Sequence, residues 1–428
     1  MALRRKKRIG IFDGTFSPPH YGHLIGAEKT RQAFALDSVE FVVSADPPNK
    51  TNVLNAEDRF DMVVAATEDN PFFNASRIAL DYNRGSGYSL QSVEAINAQW
   101  KGKAELFFLL SAEYLDPDYK WWLAKWIGGK ELFKLVTFLV FPRDTLDVDQ
   151  SRAWAKLIPQ ARIEVLDAPS PPMSSTLIRD LTAAGKSIWY TTPWPVQQLI
   201  AKRSYFSAGQ AVLSPSQPAP AAKVKRVAIF PGQFDPIHYG DLLFAEWARQ
   251  EYQQDRVLFI PSGNPVGHAE IQHSAESRYR MVVAATAENP FFDASRLDIQ
   301  RKTTSYALLS AEDVQRTYGL GVQLDLLINS DYLEPAHPQY LPRWMGSEKL
   351  FQMVRFIVKP KVGATVDEVR ALTQLIPDAT FEVPHAPVLP ITSAEIRSLV
   401  AVGKSIRYMT PFVVQQGIAK TGLYKNSR

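Results

Sequence analysis

The sequence predicts an α/β protein made of two tandem, doubly wound parallel sheets with helices on both faces. Short, almost continuously apolar segments such as Glu105–Leu110 alternate with segments of helical spacing. This alternation is typical of parallel strands that are buried on both faces and joined by helical crossovers. The pattern also occurs twice: His20 returns as His238 and Gly185 as Gly403, each 218 positions later. A single long offset indicates two copies of one domain rather than a solenoid.

The elements of the first copy follow from apolar periodicity and from glycine and proline breaks. Strands are predicted at Ile9–Phe12, Val39–Val43, Glu105–Leu110, Leu135–Phe141 and Ile163–Leu166. Helices are predicted at Leu24–Phe34, Ala56–Thr67, Tyr88–Ala98, from Ser174 or Ser175 as N-cap to Ala184, and Pro193–Lys202. Arg77–Tyr82 is predicted to be extended. The second copy repeats this order from Arg226.

The repeat divides the chain into a first domain, 1–206, a linker, 207–222, and a second domain, 223–428. The linker is rich in proline, serine and alanine and lacks aromatic residues, so we expect it to be semi-extended rather than packed. Each domain is long enough to bury a substantial core.

Composition narrows the functional classes. The 428 residues include no cysteine, which excludes disulfides and thiolate metal sites, and the net charge of +4 does not indicate a nucleic-acid partner. We find no run of 18 apolar residues and no signal peptide, so no membrane association is expected and a cytoplasmic location is predicted.

The chemistry concentrates where the first strand ends. Gly14 and the Pro18-Pro19 pair break the strand, and His20 and His23 open the following helix. A helix start carries unpaired backbone N–H groups and the positive end of the dipole, so it attracts phosphate, and two imidazoles three residues apart can both face a bound anion. Four segments follow strands at the same edge of the sheet and are expected to converge there: 13–23, 44–50, 111–122 and 173–179.

Two motifs carry a family resemblance: Gly14-Thr-Phe-Ser-Pro-Pro-His-Tyr-Gly-His23 and Met173-Ser-Ser-Thr-Leu-Ile-Arg179. Together they resemble the bacterial nicotinate mononucleotide adenylyltransferases of the nucleotidylyltransferase superfamily. The resemblance covers nearly all of each copy and implies Rossmann-like domains. It also implies transfer of the adenylyl group of ATP to nicotinate mononucleotide, which gives the dinucleotide and pyrophosphate in NAD biosynthesis, with Mg²⁺ on the ATP phosphates.

The resemblance also implies roles for individual residues. The implied catalytic residues are His20, His23 and Arg179. The implied ATP-binding residues are Gly14, Thr15, Phe16, Ser175 and Thr176. The implied mononucleotide-binding residues are Lys50, Tyr88, Ser89, Glu113, Trp121 and Trp122. The tryptophans have a second interpretation as core aromatics, and Glu113 as part of a helix start.

The first copy departs from the family pattern at two positions. Asp13 replaces the first glycine of the usual G-G-T-F and puts a carboxylate beside a phosphate site. Glu113 replaces the shorter aspartate of the family's G-x-D segment. These departures affect the choice of substrate more than the class of reaction.

In the second copy the corresponding residues are His238, Asp241, Ser393 and Arg397. Asp241 replaces the second histidine, and an anionic carboxylate there is expected to repel phosphate. We therefore expect the first copy to be active and the second to be impaired, serving as a packing partner or a nucleotide sensor. An intramolecular pseudo-dimer is compatible with the repeat.

Two other functions remain open from the sequence. One is an adenylyltransferase with a different acceptor, such as nicotinamide mononucleotide or another phosphate. The other is a non-catalytic nucleotide-binding protein, which Asp241 favours and the complete histidine pair of the first copy opposes.

Overall fold

The computed structural model describes residues 5–47, 53–82, 89–142, 148–167, 171–207, 224–265, 271–301 and 303–425. The chain forms two compact units, Met1–Leu213 and Ser214–Arg428, here called unit 1 and unit 2. The predicted linker, apart from residue 207, lies outside the described residues.

Unit 1 is a six-stranded parallel sheet with helices between its strands, in the strand order β3-β2-β1-β4-β5-β6. Its strands are β1 Lys7–Gly14, β2 Ser38–Val43, β3 Phe73–Ser76, β4 Ala104–Ser111, β5 Val136–Phe141 and β6 Arg162–Val165. Its helices are α1 Tyr21–Ala33, α2 Ala56–Thr67, α3 Ile78–Tyr82, α4 Ser89–Trp100, α5 Gly129–Leu135, α6 Val148–Ala155, α7 Ser175–Ala183 and α8 Trp194–Lys202.

Unit 2 repeats this topology in the order β12-β11-β10-β7-β8-β9, again with all strands parallel. Its strands are β7 Arg226–Gly232, β8 Arg256–Pro261, β9 Phe292–Ala294, β10 Gln323–Asn329, β11 Val354–Lys359 and β12 Thr380–Glu382. Its helices are α9 Tyr239–Glu251, α10 Ala275–Thr286, α11 Leu297–Arg301, α12 Ala307–Tyr318, α13 Ser347–Met353, α14 Val366–Thr373, α15 Ser393–Ala401 and α16 Phe412–Thr421.

The predicted fold class is confirmed: both units are Rossmann-like sheets. The strand order reverses between β1 and β4 in unit 1 and between β7 and β10 in unit 2. Ligands of such sheets bind in the crevice at the carboxyl ends of the strands where this reversal occurs. The core beneath it is apolar, with Ile11, Leu106 and Phe138 at most 4% exposed. Within the described ranges, no helix has the length and apolarity needed to cross a membrane.

The prediction for Arg77–Tyr82 was wrong, because residues 78–82 form the short helix α3. The amide of Asp81 donates to the carbonyl of Arg77 at 3.0 Å, and the two side chains form an i,i+4 ion pair at 3.6 Å. This helical pairing and the burial of Ile78 and Ala79 decide the local structure. Strand β3 was not predicted, because Asn74 and Ser76 interrupt any apolar run at this sheet edge.

Candidate active site

The two histidines of unit 1 lie together at the start of helix α1. His20 is the N-cap and is 3% exposed, and its ring stacks on the ring of His23 with centroids 3.6 Å apart and 28° between the planes. The backbone N–H of His20 donates to Nδ1 of His23 at 3.2 Å. Because Nδ1 is an acceptor, the neutral His23 ring carries its proton on Nε2, which leaves Nε2–H as a donor.

Gly22 provides the space for this stack. A Cβ atom at this position would lie 2.9 Å from two ring atoms of His20 and 3.2 Å from Cβ of Met173. The glycine of the H-x-G-H motif is therefore required by packing, because the imidazole occupies the place that a methyl group would take.

Aromatic side chains hold the His23 ring from the sheet side. Phe12 and Phe16 meet it edge-on at centroid distances of 5.8 and 5.1 Å, and Phe141 packs edge-on against Phe12 at 5.7 Å. Phe141 is the last residue of β5. The strand ends thus form an apolar wall that limits rotation of the imidazole.

Four backbone carbonyl oxygens of the turn between β1 and α1 each accept a hydrogen bond from a distant side chain. We call these four bonds the carbonyl clamp. They run from Arg59 to Thr15 (3.0 Å), from Arg179 to Ser17 (2.8 Å), from Ser175 to Pro18 (2.8 Å) and from Thr192 to Pro19 (2.6 Å). Within the turn, Phe16 adopts φ 49°, a strained value for a non-glycine residue.

Arg59 is a deeply buried member of the clamp, at 1% exposure. Besides Thr15, its guanidinium donates to the carbonyls of Leu54 at 2.9 Å and Ala45 at 3.1 Å, so it joins three loops. The sequence analysis did not identify this residue. A signal was present, because an arginine on the buried stripe of the 56–67 helix recurs as Arg278 in the second copy.

The second motif supports the first. Ser174 caps α7, since its side chain accepts from the amide of Leu177 at 3.0 Å. Arg179, one turn further on, also donates to Oγ1 of Thr176 at 3.1 Å. The guanidinium is thereby anchored beside the turn that leads to His20, and its predicted contact with phosphate stays a prediction.

Asp13, at the end of β1, is hydrogen-bonded by two serine hydroxyls. Its carboxylate accepts a hydrogen bond from the Ser44 hydroxyl at 2.9 Å and another from the Ser89 hydroxyl. Burial raises the pKa of the Asp13 carboxyl above its ordinary value, although both hydroxyls oppose the shift. A carboxyl that is less readily ionised repels a neighbouring phosphate less than expected from the sequence.

The predicted mononucleotide side is only partly described. Trp122 packs against the core cluster under β4 and β5, whereas Trp121 is not part of that cluster within the described residues. Trp121 is half-buried, and its carbonyl accepts from the indole N–H of Trp126 at 2.8 Å. Glu113 lies in the 3₁₀ turn that directly follows β4. Lys50 and Tyr88 lie outside the described residues.

Unit 2 repeats the whole carbonyl clamp with its own residues. The four bonds run from Arg278 to Gln233 (2.6 Å), from Arg397 to Asp235 (2.7 Å), from Ser393 to Pro236 (2.8 Å) and from Thr410 to Ile237 (2.7 Å). Phe234 adopts φ 51°, close to the value of Phe16. The backbone of the turn is therefore the same in both units.

The charges at this turn differ between the units. Asp241 takes the place of His23, and Lys359 takes the place of Phe141 at the end of the equivalent strand. Nζ of Lys359 lies 3.0 Å from Oδ1 of Asp241, and both side chains are 13% exposed. The expected repulsion of phosphate by Asp241 is thus countered within the protein, because a buried ammonium balances the carboxylate.

The ionisation states follow from burial and this ion pair. Burial lowers the pKa of His238 to about 4, with Lys359 adding to the shift and Asp241 opposing it. Burial disfavours ionisation of Asp241, but His238 and Lys359 outweigh it and hold the pKa of this carboxyl below its ordinary value. At neutral pH, unit 2 therefore presents a neutral imidazole and a charged Asp241–Lys359 pair.

Among the residues that the structure describes, no group of three or more histidine, aspartate or glutamate side chains is arranged to hold a metal ion. Arg179 donates to a backbone carbonyl, and Lys359 pairs with Asp241.

Comparison with known proteins assigns this geometry to a family. The cytidylyltransferase-like family model matches residues 11–181 and again residues 229–398, which together are most of the chain. The chain belongs to the cytidylyltransferase-like family. The double match confirms the tandem duplication that the repeated motifs predicted.

Each of the individual relatives matches about half of this chain. A probable nicotinate-nucleotide adenylyltransferase of Desulfitobacterium hafniense is 36% identical over 212 residues, 48% of this chain and 98% of that protein. Another, of Thermoanaerobacter sp., is 32% identical over 205 residues, 47% of this chain and 94% of that protein. A solved Plasmodium falciparum nicotinic acid mononucleotide adenylyltransferase complexed with NaAD matches with 15% identity and a TM-score of 0.40, over 47% of this chain and 97% of that one.

Replacing Arg59 with methionine should destabilise unit 1 by about 3 kcal/mol, because three partly buried carbonyls lose a charged donor. Arg278→Met should destabilise unit 2 to a similar extent. Calorimetric unfolding measures both effects. The control is Arg77→Met, which alters an exposed arginine paired with Glu57 and should lower the unfolding temperature much less than Arg59→Met does. Equal effects of Arg59→Met and Arg77→Met would contradict the clamp.

His238 should make stability depend on pH. Its pKa is about 4 in the folded chain and about 6.5 when unfolded, so its contribution is complete above pH 6.5 and is lost as pH falls towards 4. Relative to His238→Gln, the unvaried chain should lose about 3 kcal/mol between pH 7 and pH 4. Denaturant titrations of both proteins across this range measure the difference, and a constant difference would refute the assignment.

Proposed function

We propose that unit 1 transfers the adenylyl group of ATP to the 5′-phosphate of nicotinate mononucleotide. The observation that carries this proposal is the stacked pair His20 and His23 at a helix start whose preceding turn is fixed by the carbonyl clamp. The relatives at 32–36% identity, which bear the name nicotinate-nucleotide adenylyltransferase, support the same reaction.

The chemistry needs no nucleophile from the protein. A phosphate oxygen of the mononucleotide attacks the α-phosphorus of ATP, the bond to the β-phosphate oxygen breaks, and pyrophosphate leaves. Catalysis then consists of aligning two anions and balancing the charge that develops on the α-phosphoryl oxygens. Nε2–H of His23, the His20 imidazole and the α1 N-terminus supply donors for that charge.

The second motif has a positioning part in this proposal. Arg179 and Ser175 hold the carbonyls of Ser17 and Pro18, so the turn is already shaped before the nucleotide binds. The N–H groups of Arg179 that do not bind the carbonyl of Ser17 would face the triphosphate, together with Thr176 and residues 14–16. Mg²⁺ would be held by the ATP phosphates, where it neutralises part of their charge.

In this proposal the nicotinate ring stacks on Trp121, because Trp122 packs against the core cluster. Ser89, which is tied to Asp13, and Glu113 after β4 complete the described part of the acceptor side. Lys50 and Tyr88 keep their predicted roles here. Unit 2 has no stacked imidazole pair and is assigned no transfer activity.

Separate alanine substitutions should distinguish the two units. His20→Ala should reduce pyrophosphate release from ATP and nicotinate mononucleotide about 100-fold or more, because a positioned donor to the transition state is lost. His238→Ala is the matched control in unit 2 and should retain most of the rate. If His238→Ala abolished turnover while His20→Ala did not, the reaction would belong to unit 2, and its assignment to unit 1 would be wrong.

Trp121→Ala should raise KM for nicotinate mononucleotide about tenfold while KM for ATP stays within twofold, because ring stacking contributes only to acceptor binding. Trp194→Ala, which alters a partly exposed tryptophan on α8, serves as the control. Steady-state kinetics with nicotinate and nicotinamide mononucleotide measure both constants. Equal increases in the two KM values would argue against stacking by Trp121.

A further inference from the structure

Unit 2 contains a cleft of about 510 Å³ at the carboxyl ends of β7, β10 and β11. This volume suits a small organic ligand. The cleft is lined on the polar side by His238, Asp241, Lys359 and Ser393, and its walls also include the aromatic residues Tyr306 and Trp344. Flat rings together with cationic and hydroxyl groups match a ligand that combines a heterocycle with a phosphate.

The ion pair in this cleft leaves a cation available. An ammonium has three N–H donors, and within the described residues Lys359 uses one of them, towards Oδ1 of Asp241. Asp241 in turn accepts from the backbone N–H of His238 at the helix start. The carboxylate, which stands where unit 1 has its second imidazole, therefore holds the Lys359 ammonium beside it.

We propose that unit 2 binds the phosphate of a nucleotide through Lys359, whose ammonium lies beside Asp241, and that it does so without transferring the nucleotidyl group. Binding is supported by the intact carbonyl clamp, because the turn keeps the strained φ of Phe234 that unit 1 shows at Phe16. This inference concerns unit 2 and does not depend on the reaction of unit 1.

The lack of transfer follows from the loss of one imidazole when Asp241 and Lys359 stand in place of His23 and Phe141. The stacked imidazole pair of unit 1 becomes one neutral imidazole beside a carboxylate, so one of the two ring donors is absent. On the acceptor side, Gln339 stands where unit 1 has Trp121, and Ala307 where it has Ser89. The cleft retains phosphate recognition but lacks the groups that would align a second nucleotide.

The test is calorimetric titration of the full chain with α,β-methylene ATP. The double variant Asp241→Asn with Lys359→Met removes the ion pair without leaving a buried charge. In this variant one site should bind the analogue about tenfold or more weakly, while the affinity of the other site is unchanged. Lys359→Arg keeps a cation beside Asp241 and should bind as the unvaried chain does. The control Lys349→Met alters an exposed lysine on α13 that pairs with Glu312.

Each outcome bears on one statement. A double variant whose sites all bind as tightly as those of the unvaried chain would overturn binding through Lys359. If His20→Ala released pyrophosphate at the rate of the unvaried chain, the statement that unit 2 transfers no nucleotidyl group would be overturned. Failure of the proposed function is separate, since it would appear as no pyrophosphate release from the unvaried chain while the equivalent that depends on Lys359 is still bound.

Discussion

The structure depends on one local constraint: the backbone oxygens of the turn after the first strand are bound by side chains from remote segments. A carbonyl that accepts from a guanidinium cannot rotate without losing a charge-assisted hydrogen bond, so the turn keeps one conformation. Arg59 extends this constraint to the neighbouring loops at 45 and 54, and Arg179 links it to the last part of the domain. This fixed backbone sets the positions of His20 and His23. Because the two rings are already aligned, less entropy has to be lost on the way to the transition state.

The two units show how little of a site must change for its chemistry to change. The sheet order, the clamp and the strained phenylalanine are the same in both. Beside the turn the units differ at one pair of positions, where an imidazole against an aromatic wall is exchanged for a carboxylate against an ammonium. On the acceptor side they differ at Trp121 and Ser89, which become Gln339 and Ala307. The fold is therefore a property of the scaffold, while the proposed difference in transfer depends on the side chains placed on it.

The sequence was sufficient for the sheet, the repeat and the positions of His20 and His23, because these depend on local periodicity and on breaks in the chain. It was not sufficient for Arg59, whose partners are three carbonyls that only the fold brings together. Lys359 was missed for the same reason, since its partner Asp241 is 118 positions away. Asp13 was judged by its charge alone, whereas burial and two hydroxyl donors decide how that charge behaves.

The Asp241–Lys359 pair also bears on how such a site can diverge. If unit 2 began with the histidine and phenylalanine of unit 1, an aspartate acquired first would have been a buried carboxylate with no cation beside it, which is strongly destabilising. A lysine acquired first would in the same way have been a buried ammonium with no carboxylate beside it. The two exchanges are therefore epistatic, since each is tolerated better in the presence of the other.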